Sequence, residues 1–117
     1  MAQTITHLKT ATGYRDLSIN DFKKYLRRVA TDDIKIAYTK HADERMSERD
    51  ITTSDVNNVI QSGTPEHVPY FNPSHGTWEC NIFGRSAGQQ IRLGLALQLM
   101  EPDSKTYVLI LTAIHLD

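Results

Sequence analysis

Between Gln90 and Met100 the apolar residues Ile91, Leu93, Leu95, Leu97 and Leu99 alternate with Arg92, Gly94, Ala96, Gln98 and Met100. A period of two held over five large apolar residues marks a strand with one buried face, because successive side chains leave a strand on opposite sides. A helix would scatter these residues around its circumference. The chain must therefore build a sheet and supply a second layer to cover the leucine face.

The flanking segments extend that sheet. Thr106 to His115 is nearly continuous in apolar residues and reads as a strand in a central, doubly covered position, reached through the turn Glu101-Pro102-Asp103-Ser104-Lys105. Upstream, Glu66 to Phe71 and Thr77 to Phe83 flank a turn at Asn72-Pro73-Ser74-His75-Gly76, the pattern of a hairpin, and Gly84 to Gly88 forms the next loop. These connections are short enough for antiparallel neighbours, so the expected sheet is a meander of about four strands.

The covering layer comes from the first half. Ser18, with Asp21 three residues on, opens a helix from Ile19 to Ala30 whose Phe22, Leu26, Val29 and Ala30 share a face. The Thr31-Asp32-Asp33 break leads to Ile34–Tyr38, a short strand or extended connector. Thr39 then caps a second helix, 40–49, rich in helix formers. Asp50-Ile51-Thr52 makes a short join, and Thr52 with Asp55 opens a third helix carrying Val56, Val59 and Ile60, closed by Gly63 and Pro65. The expected class is α+β, with N-terminal helices packed on a twisted antiparallel sheet. Residues 1–17 have no clear period and read as an N-terminal arm before a single domain at 18–117.

A chain of 117 residues suits one domain. No stretch approaches the roughly 20 apolar residues that cross a bilayer, and Met1 to Thr12 lacks the basic-then-apolar order of an export signal. The lone Cys80 has no partner for an internal disulfide or a cysteine zinc site, which fits a reducing cytoplasm. A formal net charge of −1 gives no overall attraction to nucleic acid, so any RNA site must be a local patch.

One such patch lies on the second helix. His41, Arg45 and Arg49 recur at i, i+4 and i+8, close to one helix face. Arginine forks bind phosphate oxygens and histidine moves a proton near neutral pH, so the set suits a phosphate diester. The same spacing, with Glu44 and Glu48 alongside, equally describes a solvated face laced with weak ion pairs. His67 and His75 sit at a strand and its turn, and His115 ends the most apolar strand, where it is either a functional group or simply a polar strand end. No histidine pair has the spacing of a helical zinc motif, so no metal and no cofactor is expected. Nothing local lowers the Cys80 pKa, which points to core filler instead of a nucleophile. Arg85 and Arg92 either extend a basic surface or are ordinary surface charge. Tyr38, Tyr70, Phe71, Trp78 and Tyr107 are able to stack on bases, though strand aromatics more often pack.

The stretch Thr39-Lys40-His41-Ala42-Asp43-Glu44-Arg45-Met46-Ser47-Glu48-Arg49-Asp50-Ile51 resembles the His-Ala-x-x-Arg-Met-x-x-Arg-Gly-Ile signature of a family of small bacterial domains grouped with RelE- and BrnT-like toxins. The likeness continues through Asp55-Val56, Val59-Ile60 and Gly63 and covers roughly Ile36 to His115. Asp50 departs from the usual glycine, and aspartate is among the few residues that accept a left-handed cap. The resemblance implies a RelE-like fold and a metal-independent ribonuclease, in which a ribose 2′-hydroxyl attacks the adjacent phosphate with help from a base, an acid and cations. It gives His41 the role of general base or acid and Arg45 and Arg49 that of holding phosphate. His115 or Tyr107 would supply the second proton-transfer group, with Lys40, Arg85, Arg92 and Tyr107 contacting substrate. The implied partners are RNA, a cognate antitoxin and a possible second copy. The other function class is a non-catalytic module that binds protein or nucleic acid through the His41 to Arg49 face, in a phage or mobile-element setting.

Overall fold

The computed structural model describes residues 17–31 and 33–116, together with the backbone of two short strands nearer the N-terminus, β1 (Lys9–Thr10) and β2 (Gly13–Tyr14), which pair antiparallel. The remainder of the expected arm lies outside the described residues. The elements that follow are α1 (Ile19–Ala30), β3 (Lys35–Tyr38), α2 (Lys40–Glu48), α3 (Thr53–Ser62), β4 (Thr64–Pro65), β5 (Tyr70–Asn72), β6 (Thr77–Ser86), β7 (Gln89–Gln98) and β8 (Tyr107–His115). A single 3₁₀ turn at Asp103–Lys105 joins β7 to β8.

The sheet has six strands instead of about four, in the order β3-β8-β7-β6-β4, with β5 pairing beside β4 on the same edge of β6. All neighbours are antiparallel except β3, which lies parallel to β8 from Lys35 opposite Tyr107 to Tyr38 opposite Ile110. Of the expected strand 66–71 only Tyr70 and Phe71 are in a strand, β5, while Glu66 to Pro69 lie between it and β4; the segment 34–38, read as a short strand or a connector, is an edge strand over Lys35–Tyr38. β8 is central in the ladder, yet it is fully covered on one side only: Val108, Ile110 and Ala113 are buried while Leu109, Thr112 and Ile114 are half-exposed.

Register aligns the inner face. Trp78, Cys80 and Ile82 of β6 stand opposite Leu97, Leu95 and Leu93 of β7, which in turn meet Val108, Ile110 and Ala113 of β8 across a bulge at Gly94/Leu95. These side chains form one core with Phe22, Leu26 and Val29 of α1, Ala42 and Met46 of α2, and Val56, Val59 and Ile60 of α3. The opposite face carries Glu79, Asn81, Phe83 and Arg85 of β6 with Arg92 of β7, the other half of the same alternation.

Each helix start is fixed by a side chain. Ser18 Oγ accepts from Asp21 N at 3.0 Å, Thr39 Oγ1 from Ala42 N at 3.0 Å, and Thr52 and Asp55 form a reciprocal capping box. The end of α1 is tied to the β7–β8 turn by Arg28, whose Nε lies 2.5 Å from Asp33 and whose second terminal nitrogen lies 2.6 Å from Asp103. Its guanidinium also stacks 5.7 Å above the Tyr25 ring centroid.

Burial, reinforced by the Asp103 carboxylate, pushes the Tyr25 phenol up to about 12. A raised folded-state value makes its contribution complete below pH 10.0, the ordinary phenol value, and lost as pH rises through about 12. Tyr38 and Tyr70 are raised too, the first by burial and the second by its bond to Glu79, so an ultraviolet titration should show several tyrosines ionising late, with Tyr25→Phe removing the step near pH 12. Glycine supplies a second test. At Gly63, between α3 and β4, a Cβ would overlap the backbone oxygens of Val59 and Phe83, whereas at Gly88, with φ +80°, it would meet open space. Gly63→Ala should lower stability in urea by about 1–3 kcal/mol through overpacking, and Gly88→Ala by about 1–2 kcal/mol through left-handed backbone strain alone.

Candidate functional site

The second helix carries the candidate residues. α2 buries Ala42 and Met46 and turns Lys40, His41, Asp43, Glu44, Ser47 and Glu48 outward. His41, in the first turn, is exposed and makes no hydrogen bond or ion pair with any described residue. Arg45, one turn on, pairs with Glu48 at 2.8 Å; the two side chains are 41% and 58% exposed, so solvent screens the pair to a few tenths of a kcal/mol. Arg45 is therefore available to a stronger anion.

Arg49 is used differently. It is the C-cap of α2, and its guanidinium donates to the Ala113 carbonyl of β8 at 2.7 Å. In return, His115 Nε2 lies 2.8 Å from the Arg49 carbonyl oxygen. A carbonyl only accepts, so Nε2 carries the proton and Nδ1 holds a lone pair in the neutral ring. Nδ1 is buried without a partner among the described residues. The ring thus offers substrate neither nitrogen. His41 lies eight residues from Arg49, about 12 Å along the helix at roughly 1.5 Å of rise per residue, so His115 stands at the opposite end of α2 from His41.

The chain leaves α2 through Asp50 at φ 54°, a left-handed conformation usual for glycine and open to aspartate, and Ile51 N–H reaches back to the Met46 carbonyl at 2.9 Å. Met46 and Ile51 are both buried, supplying the apolar contact that accompanies this kind of helix ending.

The remaining candidates do not converge on α2. Arg85 and Arg92 lie on the outer sheet face because strand alternation puts their inner neighbours, Gly84 and Ile91, against the helices. Arg92 is paired with Glu66 at 2.5 Å, and Arg85 reaches only the Gly88 carbonyl, at 3.5 Å. Tyr107 shares that outer face at the opposite end of the strands, opposite Gln98. Lys40 alone of these residues sits beside His41.

The other histidines and Cys80 have structural surroundings. His67 bridges the gap between β4 and β5: its Nε2 accepts from Asn81 N–H at 3.2 Å, and Nδ1 donates to the Val68 carbonyl at 3.0 Å. His75 is exposed in the turn before β6. The Cys80 thiol donates to backbone carbonyls, and burial raises its pKa, which makes it a poor nucleophile. Among the aromatics, Trp78 is 2% exposed and packs at 5.0 Å against Phe71, while Tyr70 is 52% exposed and donates to Glu79. Among the described residues no three His, Cys, Asp or Glu side chains come together to hold a metal.

One network escaped the sequence reading. Ser86, buried at the end of β6, donates to Asp55 at 2.5 Å and accepts from Asn58 at 3.0 Å. With the Thr52 backbone and hydroxyl, it holds the Asp55 carboxyl below its usual range. Thr52 and Asp55 were legible as a cap, but nothing local signalled that a serine on a distant strand would complete it.

The fold and these contacts define a small α+β domain with one exposed, histidine-bearing helix of mixed charge fixed to a sheet by its C-terminal end. The chain belongs to the family described as Domain of unknown function (DUF4258), whose model matches residues 38–114. That span begins at the last residue of β3 and takes in α2, α3 and nearly all of the sheet, leaving α1 outside. No curated protein matches the chain, and no solved structure does.

His115→Ala should lower stability by about 0.5–1.5 kcal/mol, because the Arg49 carbonyl loses its donor, whereas His115→Gln, which keeps an N–H of similar reach, should recover part of the loss. Urea denaturation of the two variants beside the wild type checks this.

Proposed function

We propose that α2 is a phosphate-binding surface for RNA and that the protein is a metal-independent endoribonuclease of the RelE- and BrnT-like kind, the toxin half of a toxin–antitoxin pair acting in the cytoplasm. The observation that carries this reading is the pairing of an unengaged, exposed His41 with Arg45 one turn away and Lys40 alongside. In such a reaction a ribose 2′-hydroxyl gives its proton to a base as its oxygen attacks the adjacent phosphorus, the bond to the 5′-oxygen breaks, and the departing oxygen takes up a proton. His41 is the proton-transfer group, and Arg45 exchanges Glu48 for a phosphate oxygen with which its fork makes the stronger, charge-assisted contact. Arg49 acts through the helix, holding its C-terminal end to β8. A cognate antitoxin covers the helix face in the silenced state.

A specific observation favours a second reading, a binding module of the same fold. His115, the other expected proton carrier, is committed to the Arg49 carbonyl. Without a second proton carrier near His41, the surface retains anion recognition and loses turnover.

Induced expression separates the two. The nuclease reading expects growth arrest and fragmented RNA with the wild type, and at least a roughly hundredfold loss of cleavage in His41→Ala, within the range ordinarily supplied by a proton-transfer group, at unchanged soluble protein. Arg45→Ala should weaken RNA binding. Soluble, harmless expression of all three chains would leave the binding module.

A further inference from the structure

The sequence of α1 reads Phe22-Lys23-Lys24-Tyr25-Leu26-Arg27-Arg28, four cations in seven positions. The structure divides them into two pairs. Arg28 is neutralised by Asp33 and Asp103, and Lys24 lies 3.9 Å from Asp21. Lys23 and Arg27 have no ion-pair or hydrogen-bond partner among the described residues. They are one helical turn apart, so their side chains emerge on the same face.

That face borders a cavity. Lys23 and Arg27 form one wall of a recess of about 130 Å³ between α1 and the end of α3, with Leu26 and Ile60 also lining it. Gln61 and Thr64 line the recess too and make no side-chain hydrogen bond with any described residue. No carboxylate lines it. Its volume is many times the roughly 10–15 Å³ that admits one water. Two cations at i and i+4, unpaired among the described residues, with an amide and a hydroxyl that have no side-chain hydrogen bond among them, present the complement of a tetrahedral oxyanion.

We infer that the recess between α1 and the C-terminal end of α3 is a phosphate-binding site. The ligand chemistry is a phosphate group, supplied either by free phosphate or by the backbone of a nucleic-acid strand. The site is separate from α2 and stands whether or not the protein cleaves RNA. Its cationic wall lies outside the family match, because residues 23 and 27 precede residue 38, while residues 60–64 lie within it.

The competing account is that Lys23 and Arg27 only offset the negative end of the α3 dipole, whose own last turn has no basic residue. Backbone NMR titration of the full chain distinguishes the two, with inorganic phosphate and a short oligouridylate as probes, each against sodium chloride at equal ionic strength. The site predicts saturable shifts at residues 23–27 and 60–64, weakened roughly tenfold or more in Lys23→Gln/Arg27→Gln, since each lost contact is charge-assisted. Lys24→Gln, on the same helix but outside the recess, should bind like the wild type. Shifts with both probes indicate a general phosphate site; shifts with one alone assign the source to free phosphate or to the strand. Absence of saturable shifts with either probe overturns the inference. So does an equal loss in Lys24→Gln, or a lower melting temperature in the double variant with an unchanged phosphate response.

Discussion

Burial of one face of the β6–β7–β8 ladder is the constraint on which the other elements depend. Trp78, Cys80 and Ile82, the alternate leucines of β7, and Val108, Ile110 and Ala113 place a continuous apolar surface on one side of the sheet. At about 25 cal/mol for each Å² removed from water, leaving that surface bare is untenable. The three helices cover it, each turning a stripe of two or three buried side chains inward. The outer face carries paired polar groups, such as Arg92 with Glu66, and Tyr70 and Asn72 with Glu79.

Where polar groups meet this core, they are used to fix geometry. Arg28 links the end of α1 to the β7–β8 turn, Ser86 links the end of β6 to the Asp55 cap of α3, and Arg49 with His115 links the end of α2 to β8. The third link is reciprocal: a side chain from the helix bonds a strand carbonyl, and a side chain from the strand bonds a helix carbonyl. It anchors the C-terminal end of α2 and leaves the first turn, with Lys40 and His41, facing solvent. A helix held in this way presents a histidine and an arginine at a fixed orientation relative to the sheet, which recognition of a phosphate requires.

The charge distribution bears on how a chain of net charge −1 would accommodate the proposed anion sites. Much of its positive charge is consumed by internal pairs or strand carbonyls. Among the described residues, Lys40 beside His41 on α2 and Lys23 and Arg27 along one face of α1 are left open, as are Lys35 and Lys105 elsewhere. Local fields of this kind act over about a Debye length, roughly 8–10 Å, so a neutral average does not prevent them.

The sequence by itself determined the local elements. The caps Ser18, Thr39 and Thr52, the period-two leucines and the turn residues act within a few positions of one another, and the three helices begin where those signals place them. It also singled out His41 and Arg45, because i and i+4 positions on a helix are neighbours whatever the rest of the chain does. Only the tertiary structure decided that β3 would join β8 in parallel, that strand structure would leave 66–69 and form at 64–65 and 70–72, and that Arg85 and Arg92 would face away from the helices. The same holds for Arg49 and His115, which pattern alone offered as reactive groups and which packing commits to backbone carbonyls, Arg49 to that of Ala113 and His115 to that of Arg49. The physical reason is range: caps and periodicities are set by short-range backbone geometry, whereas the partner of a side chain or strand edge depends on which distant segment burial of the core brings beside it.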